Sequence, residues 1–254
     1  MGRVFRSLAQ EVPISYRQYC LLALAAVAPA APGHAQPSVD QLLEKYAQAL
    51  GGQAAYEKVT TRAMKGTVEM PDDNVTGTAL VVAKAPGSFR LTMDIPGYGV
   101  VETVLDGGNG WEKNPDSGTH TMSKTDLAVA QRDHHFYREI RLKELYPKME
   151  AAGADKVGGR AVYVVEATPA AGPAEKLYFD ADNGLLVKRD FERVTLEDGI
   201  VQYEMLFKDY RDVDGLKLPF TIEQRSPDNT TIFKFADIKN NAPLADTAFA
   251  KPEK

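Results

Sequence analysis

The sequence predicts an α+β fold: a long antiparallel sheet of about ten strands that curls and takes helices on one face. Three observations predict it. Segments of period two, rich in strand formers, succeed one another from residue 62 to 106 and again from 160 to 238. The breaks between them are short and carry Gly, Asn, Asp and Pro, which suits hairpins and hence antiparallel pairing. Helical periodicity is confined to two stretches, 38–52 and 123–147. So many consecutive strands curl rather than lie flat, and two helical stretches can then cover the face they form.

The chain start reads as an export signal. Arg3, Arg6 and Arg17 precede a short apolar core, CLLALAAVA (20–28), and Gly33-His34-Ala35 offers small residues around a cleavage position. The apolar run is too short to span a bilayer, which takes about 20 residues. Cys20 is the only cysteine, and Arg17-Gln18-Tyr19 before it does not suit a lipid-anchor signal. Cleavage near Ala35 leaves residues 36–254 as a single domain without disulfides, thiolate metal sites or a cysteine nucleophile. The whole chain carries a net charge of −5. Losing a leader with three Arg and one Glu makes it more acidic, which argues against nucleic acid or anionic membrane surfaces as partners.

In SVDQLLEKYAQALGG (38–52), Ser38 and Gln41 have capping-box spacing, Leu42, Tyr46 and Leu50 lie on one stripe, and Gly51-Gly52 ends the helix. A short helix is expected at 53–59. Strands follow at 62–70, 75–84, 87–95 and 98–106, and a tight turn at 106–110 leads into the only tryptophan, Trp111. Residues 123–147 contain no Gly or Pro before Pro147 and predict one long helix. Six strands are then expected at 160–168, 174–180, 185–194, 200–213, 216–224 and 230–238. Asn183-Gly184, Asp198-Gly199 and Asp214-Gly215 supply turn chemistry between them.

The residues that most suggest chemistry are His120, His134 and His135. On one helix, adjacent residues point about 100° apart, so His134 and His135 diverge and cannot easily share a metal ion. His135 and Glu139 could supply two ligands, but no second histidine cluster supplies more, and His-Glu-x-x-His is absent. Neither a G-x-S-x-G nor a phosphate-binding glycine pattern occurs. No enzymatic activity, metal or cofactor is expected. The apolar strand faces are more informative. Phe89, Leu91, Met93, Trp111, Met205, Phe207 and Phe233, with Tyr137 from the helical stretch, are candidates to line an apolar cavity, since Met and Phe suit irregular lipophilic ligands.

The stretches YAQALGGQAAYEKV (46–59), LYFDADNGLLVKRD (177–190) and YRDVDGLKLPFTIE (210–223) resemble the outer-membrane lipoprotein-sorting, or Lol-carrier-like, family of bacterial periplasmic proteins. The resemblance spans residues 38–240 and rests on hairpin-turn motifs. It implies a strongly curved, half-open β-barrel with helices on its concave side and an apolar cavity for lipoprotein acyl chains. It also implies a periplasmic location. The arginine that carriers hold near the cavity mouth has Arg62 and Arg90 as candidates. The expected function is therefore a periplasmic binding or carrier module for a lipophilic ligand. An alternative is an envelope protein-interaction module that docks through a sheet edge or the 123–146 helix. A hydrolase or metal enzyme centred on the three histidines is a further reading, against which the spacing argues.

Overall fold

The computed structural model describes residues 36–195, 199–245 and 247–253. The expected leader, 1–35, lies outside them, as do Glu197 and Asp198 of one expected turn.

Helix α1 (Val39–Ala49) begins as its sequence dictates: Gln41 N donates to Ser38 Oγ and Ser38 N donates back to Gln41 Oε1. Its apolar stripe, Leu42, Tyr46 and Leu50, is buried. The chain then turns at Gly51, with φ of +113°, where an added Cβ would lie 2.2 Å from the Gly215 carbonyl oxygen. Only glycine allows both the conformation and the approach. Helix α2 (Gln53–Tyr56) follows and buries Tyr56.

Six strands form a first meander: β1 (Thr61–Met70), β2 (Val75–Lys84), β3 (Ser88–Ile95), β4 (Gly99–Asp106), β5 (Asn109–Asn114) and β6 (Gly118–Thr121). Seven form a second: β7 (Lys148–Val157), β8 (Arg160–Thr168), β9 (Glu175–Asp180), β10 (Leu186–Thr195), β11 (Gly199–Val213), β12 (Leu216–Arg225) and β13 (Thr230–Asn240). The two meanders join where β1 pairs antiparallel with β13, Arg62 opposite Asn240 and Glu69 opposite Ile232. The result is one curved, unclosed 13-stranded sheet with β6 and β7 as its edges.

Thirteen strands correct the expectation of about ten. The strands beyond the ten expected ranges are β5, which carries Trp111 after the expected tight turn, and those two edges. β6 is four residues of Gly, Thr and His. β7, KMEAAGADKV, mixes small and charged residues and bulges between Ala151 and Ala154, with Gly153 at φ +103°. Edge strands have a neighbour on one side only and are kept short, charged or bulged, so they lack the apolar alternation that marks a strand in sequence.

Residues 122–147 cross from edge β6 to edge β7. The single long helix expected there is not formed. Helix α3 (Lys124–Asp133) starts at Ser123, whose Oγ accepts from Asp126 N, and stops at His134 (φ −106°, ψ 15°). A 3₁₀ turn (Arg138–Ile140) and one turn of helix, α4 (Leu142–Leu145), complete the crossing. The crossing runs over one face of the sheet, here called inner. His134 stacks on Phe89 of β3, Phe136 N donates to Pro86 O, and Asp133 reaches Arg189 of β10. The main core fills the space between α1, α2 and this crossing on one side and the sheet on the other, with Tyr46, Phe136, Tyr146, Phe179, Leu216 and Phe235 among its members. The C-terminal tail lies on the outer face. Arg90, opposite in parity to Phe89, donates to Ala250 O, Thr119 Oγ1 donates to Glu253 O at 3.1 Å, and Phe249 is buried.

Candidate functional site

A cavity of about 140 Å³ lies inside the core, under the crossing. β1 supplies Arg62 and Met64, two residues apart and so on one face. β12 supplies Leu218 and Ile222 by the same alternation. β11 supplies both Phe207 and Tyr210, three positions apart. Between them Asp209 takes φ of +53°, which breaks the alternation and turns both side chains inward. α1 and α2 add Tyr46 and Tyr56, the 3₁₀ turn adds Arg138 and Glu139, and Lys217 follows the β11–β12 turn.

The apolar part of this wall is interrupted by charge. Arg62 donates from Nε to Asn240 Oδ1 (2.9 Å) and from Nη1 to the Tyr56 hydroxyl (3.4 Å), and its guanidinium lies over the Tyr56 and Phe136 rings. Its buried Nη2 has no acceptor among the described residues. Arg138, only 5% exposed, donates from Nη2 to the Tyr146 hydroxyl, and its buried Nε likewise has no acceptor. Glu139 accepts from the Tyr56 hydroxyl at 3.1 Å. Burial raises the Tyr46, Tyr56 and Tyr210 phenols above their ordinary range, so all three stay protonated and the Tyr210 hydroxyl donates to Leu186 O.

Beside the cavity a charged seam ties the crossing to the sheet. Arg189 grips Glu175 of β9 through Nε–Oε2 (2.6 Å) and Nη2–Oε1 (2.9 Å) and also reaches Asp133 Oδ1 at 2.8 Å. Arg193 pairs with the other oxygen of Asp133. Arg132 and the Tyr146 hydroxyl complete the shell of Glu175 at 2.7 and 2.8 Å. Phe191 sits between Arg189 and Arg193, each guanidinium carbon 4.4 Å from its ring centre. Burial alone would raise the Asp133 carboxyl pKa, but Arg189, Arg193 and Arg132 outweigh it and hold it well below the usual range. Glu175 is lowered in the same way, its burial outweighed by Arg189 and Arg132.

The three histidines do not converge. His120 sits at the β5–β6 hairpin, 3.2 Å from Glu112 Oε2. His134 lies against Phe89, and burial pushes its imidazole pKa down to about 4, so it does not change charge between pH 5 and 8. His135 accepts from Tyr137 N, while Glu139, its expected neighbour, is engaged by Tyr56. Among the described residues no three or more His, Cys, Asp and Glu side chains are grouped to hold a metal ion.

Of the apolar candidates, Phe207 lines the cavity. The register carries its row across the sheet: Phe207 faces Ile222, Ile222 faces Phe233, and Phe233 packs on the core. Leu91 is paired to Val81 and Val81 to cavity-lining Met64, so Leu91 and its i+2 neighbours Phe89 and Met93 share the inner face. Met205 is paired with Arg189 and shares that face as well. Tyr137 lies in the crossing and donates to Val59 O. Trp111 is on the other side: it pairs with Val104, which pairs with Arg90, and that is the face under the C-terminal tail. Of the two arginine candidates, Arg62 is at the cavity and Arg90 is on the outer face.

Apart from Arg62, the polar half of the site was not anticipated from sequence. The available signal was parity. In LLVKRDFERV, Arg189 and Arg193 occupy the same face as Phe191, a face the alternation reserves for the core.

No sequence-family model and no curated protein matches the chain. Solved structures do. A DUF1329 family protein from Desulfovibrio piger aligns with a TM-score of 0.58 at 13% identity, over 83% of this chain and 96% of that one. A LolA superfamily protein from Nitrosomonas europaea aligns with a TM-score of 0.53 at 14% identity, over 85% and 98%. A domain named for outer-membrane lipoprotein sorting from Vibrio parahaemolyticus aligns with a TM-score of 0.54 at 11% identity, over 83% and 97%. On these alignments the chain shares its fold with a LolA superfamily protein and with a domain named for outer-membrane lipoprotein sorting.

Proposed function

We propose that the protein is an exported, periplasmic binding or carrier module for a lipophilic ligand, acyl chains of a lipoprotein included, and that it acts by binding rather than by catalysis. The observation that carries this is the inner face. A row of half-buried Met, Leu and Phe side chains, Leu91, Met93, Phe233 and Phe207, leads to a cavity with a mainly apolar wall. Ordinary ligand pockets hold about 300–1,000 Å³. At about 140 Å³ the cavity fits a closed form that must widen to take a chain. The element over it is suited to move, being two short turns after α3 rather than one stiff helix. The fold neighbours and the export-like leader sequence support the same reading.

The test is native mass spectrometry and lipid extraction of protein purified from periplasm, alongside an Ile222→Trp variant that fills the cavity. Co-purifying lipid that is lost in the folded variant supports the carrier reading. Absence of lipid, together with failure to take up any added amphiphile, overturns it.

A further inference from the structure

The cavity wall holds two cationic side chains shielded from solvent, Arg62 and Arg138, and one carboxylate, Glu139, while Lys217 at its rim is exposed. Glu139 is engaged by the Tyr56 hydroxyl rather than by either arginine. The adjoining seam does not correct the imbalance, since Asp133 and Glu175 are shared among Arg132, Arg189 and Arg193. Two buried guanidinium N–H groups on this wall, Nη2 of Arg62 and Nε of Arg138, meet no acceptor among the described residues. A buried donor on a cation without a partner is costly, and guanidinium forks match carboxylate and phosphate oxygens. The wall next to them, Met64, Phe207 and Ile222, is apolar.

We propose that this cavity binds the anionic head group of an amphiphile, a carboxylate or a phosphate, on Arg62 and Arg138, with its chain lying along Met64, Phe207 and Ile222. The proposal rests on the carrier reading and narrows its ligand from lipophilic to anionic. A neutral or cationic head leaves the two donors unmatched and adds nothing against the net positive wall.

Calorimetry on the purified, delipidated protein at pH 7.5 tests it, with decanoate and decan-1-ol, equal in chain length and both kept below aggregation. Decanoate is expected to bind at least about 10-fold tighter, a difference of about 1.4 kcal/mol. Arg62→Met should abolish that preference and leave decanol affinity within about twofold, because decanol uses the apolar wall alone. Arg138→Met should act alike. Since Arg138 also holds Tyr146, loss of fold there is met by the wild-type comparison and by Arg62→Met, which decide without it. Decyl phosphate separates the two head groups: tighter than decanoate assigns phosphate, weaker assigns carboxylate, and either supports the site. Equal affinity for decanoate and decanol in the wild type overturns the head-group site and leaves the carrier reading standing, as does a preference that survives in Arg62→Met. Binding of neither compound overturns both.

Discussion

His134 lies flat against Phe89, their ring centroids 3.9 Å apart and their planes 14° from parallel. The stack joins the end of α3 to β3 and fixes where the helix gives way to turns.

That contact predicts a pH dependence of stability. Burial lowers the His134 pKa to about 4; Asp133 opposes this, and Arg189, Arg138 and Arg193 add to it. The unfolded chain takes up a proton near pH 6.5 that the folded chain refuses until about pH 4. Stability from this group is therefore complete above 6.5 and lost as pH falls from 6.5 to 4. Because the residue as a whole is only half-buried, the loss is about 2 kcal/mol. Urea unfolding of wild type and His134→Gln at pH 7 and pH 4.5 should show the wild type losing more. Equal losses would remove His134 from the account.

Arg189→Met should cost about 3–5 kcal/mol, because Glu175 and Asp133 would lose the cation between them while remaining buried. Both carboxyls are depressed in the folded state. Their contribution is thus present at neutral pH and lost as pH falls below about 4, so the deficit of the variant should shrink in acid. A deficit constant from pH 7 to pH 3 would show that packing, not charge, is at stake.

Gly66→Ala should destabilise by about 2–3 kcal/mol. Gly66 sits at the register shift between β1 and β13, and an added Cβ would meet Lys234 O at 2.0 Å and Phe235 Cα at 2.7 Å. Those neighbours are backbone and cannot turn aside. A chemical denaturation midpoint equal to wild type would mean that the seam is looser than its geometry.

Leu218→Ala should cost about 2–5 kcal/mol and enlarge the cavity it lines. The same variant should bind a given apolar chain more tightly than wild type, since the space is already open. Calorimetry with decanol measures it, and weaker binding would place the chain elsewhere.

Much of the frame is legible in sequence. Ser38 and Gln41 announce α1, Asp214-Gly215 forms a turn with both residues at positive φ, and the alternation of Phe89, Leu91 and Met93 marks an inner face. What sequence hides is decided at a distance. Residues 123–146 contain no helix breaker, yet α3 stops at His134, where Asp133 is held by Arg189 and Arg193 from β10 and the His134 ring by Phe89. Tertiary contacts override a local propensity worth only tenths of a kcal/mol per residue. The same holds for the cavity. Arg62, Arg138 and Tyr210 come from three elements far apart in the chain, and nothing in the spacing of any one of them announces the others.

The pairing of β1 with β13 has a consequence for biosynthesis. Among the described strands β1 is the first to leave the ribosome and β13 the last. Each meander can form hairpin by hairpin as it emerges, but the seam that makes them one sheet waits until β13 has been made. Until then one side of β1 presents unpaired N–H and C=O groups, a template for pairing with other chains. A nascent protein of this design depends on whatever shields that edge during synthesis, and a truncation that removes β13 should aggregate rather than leave a stable first half.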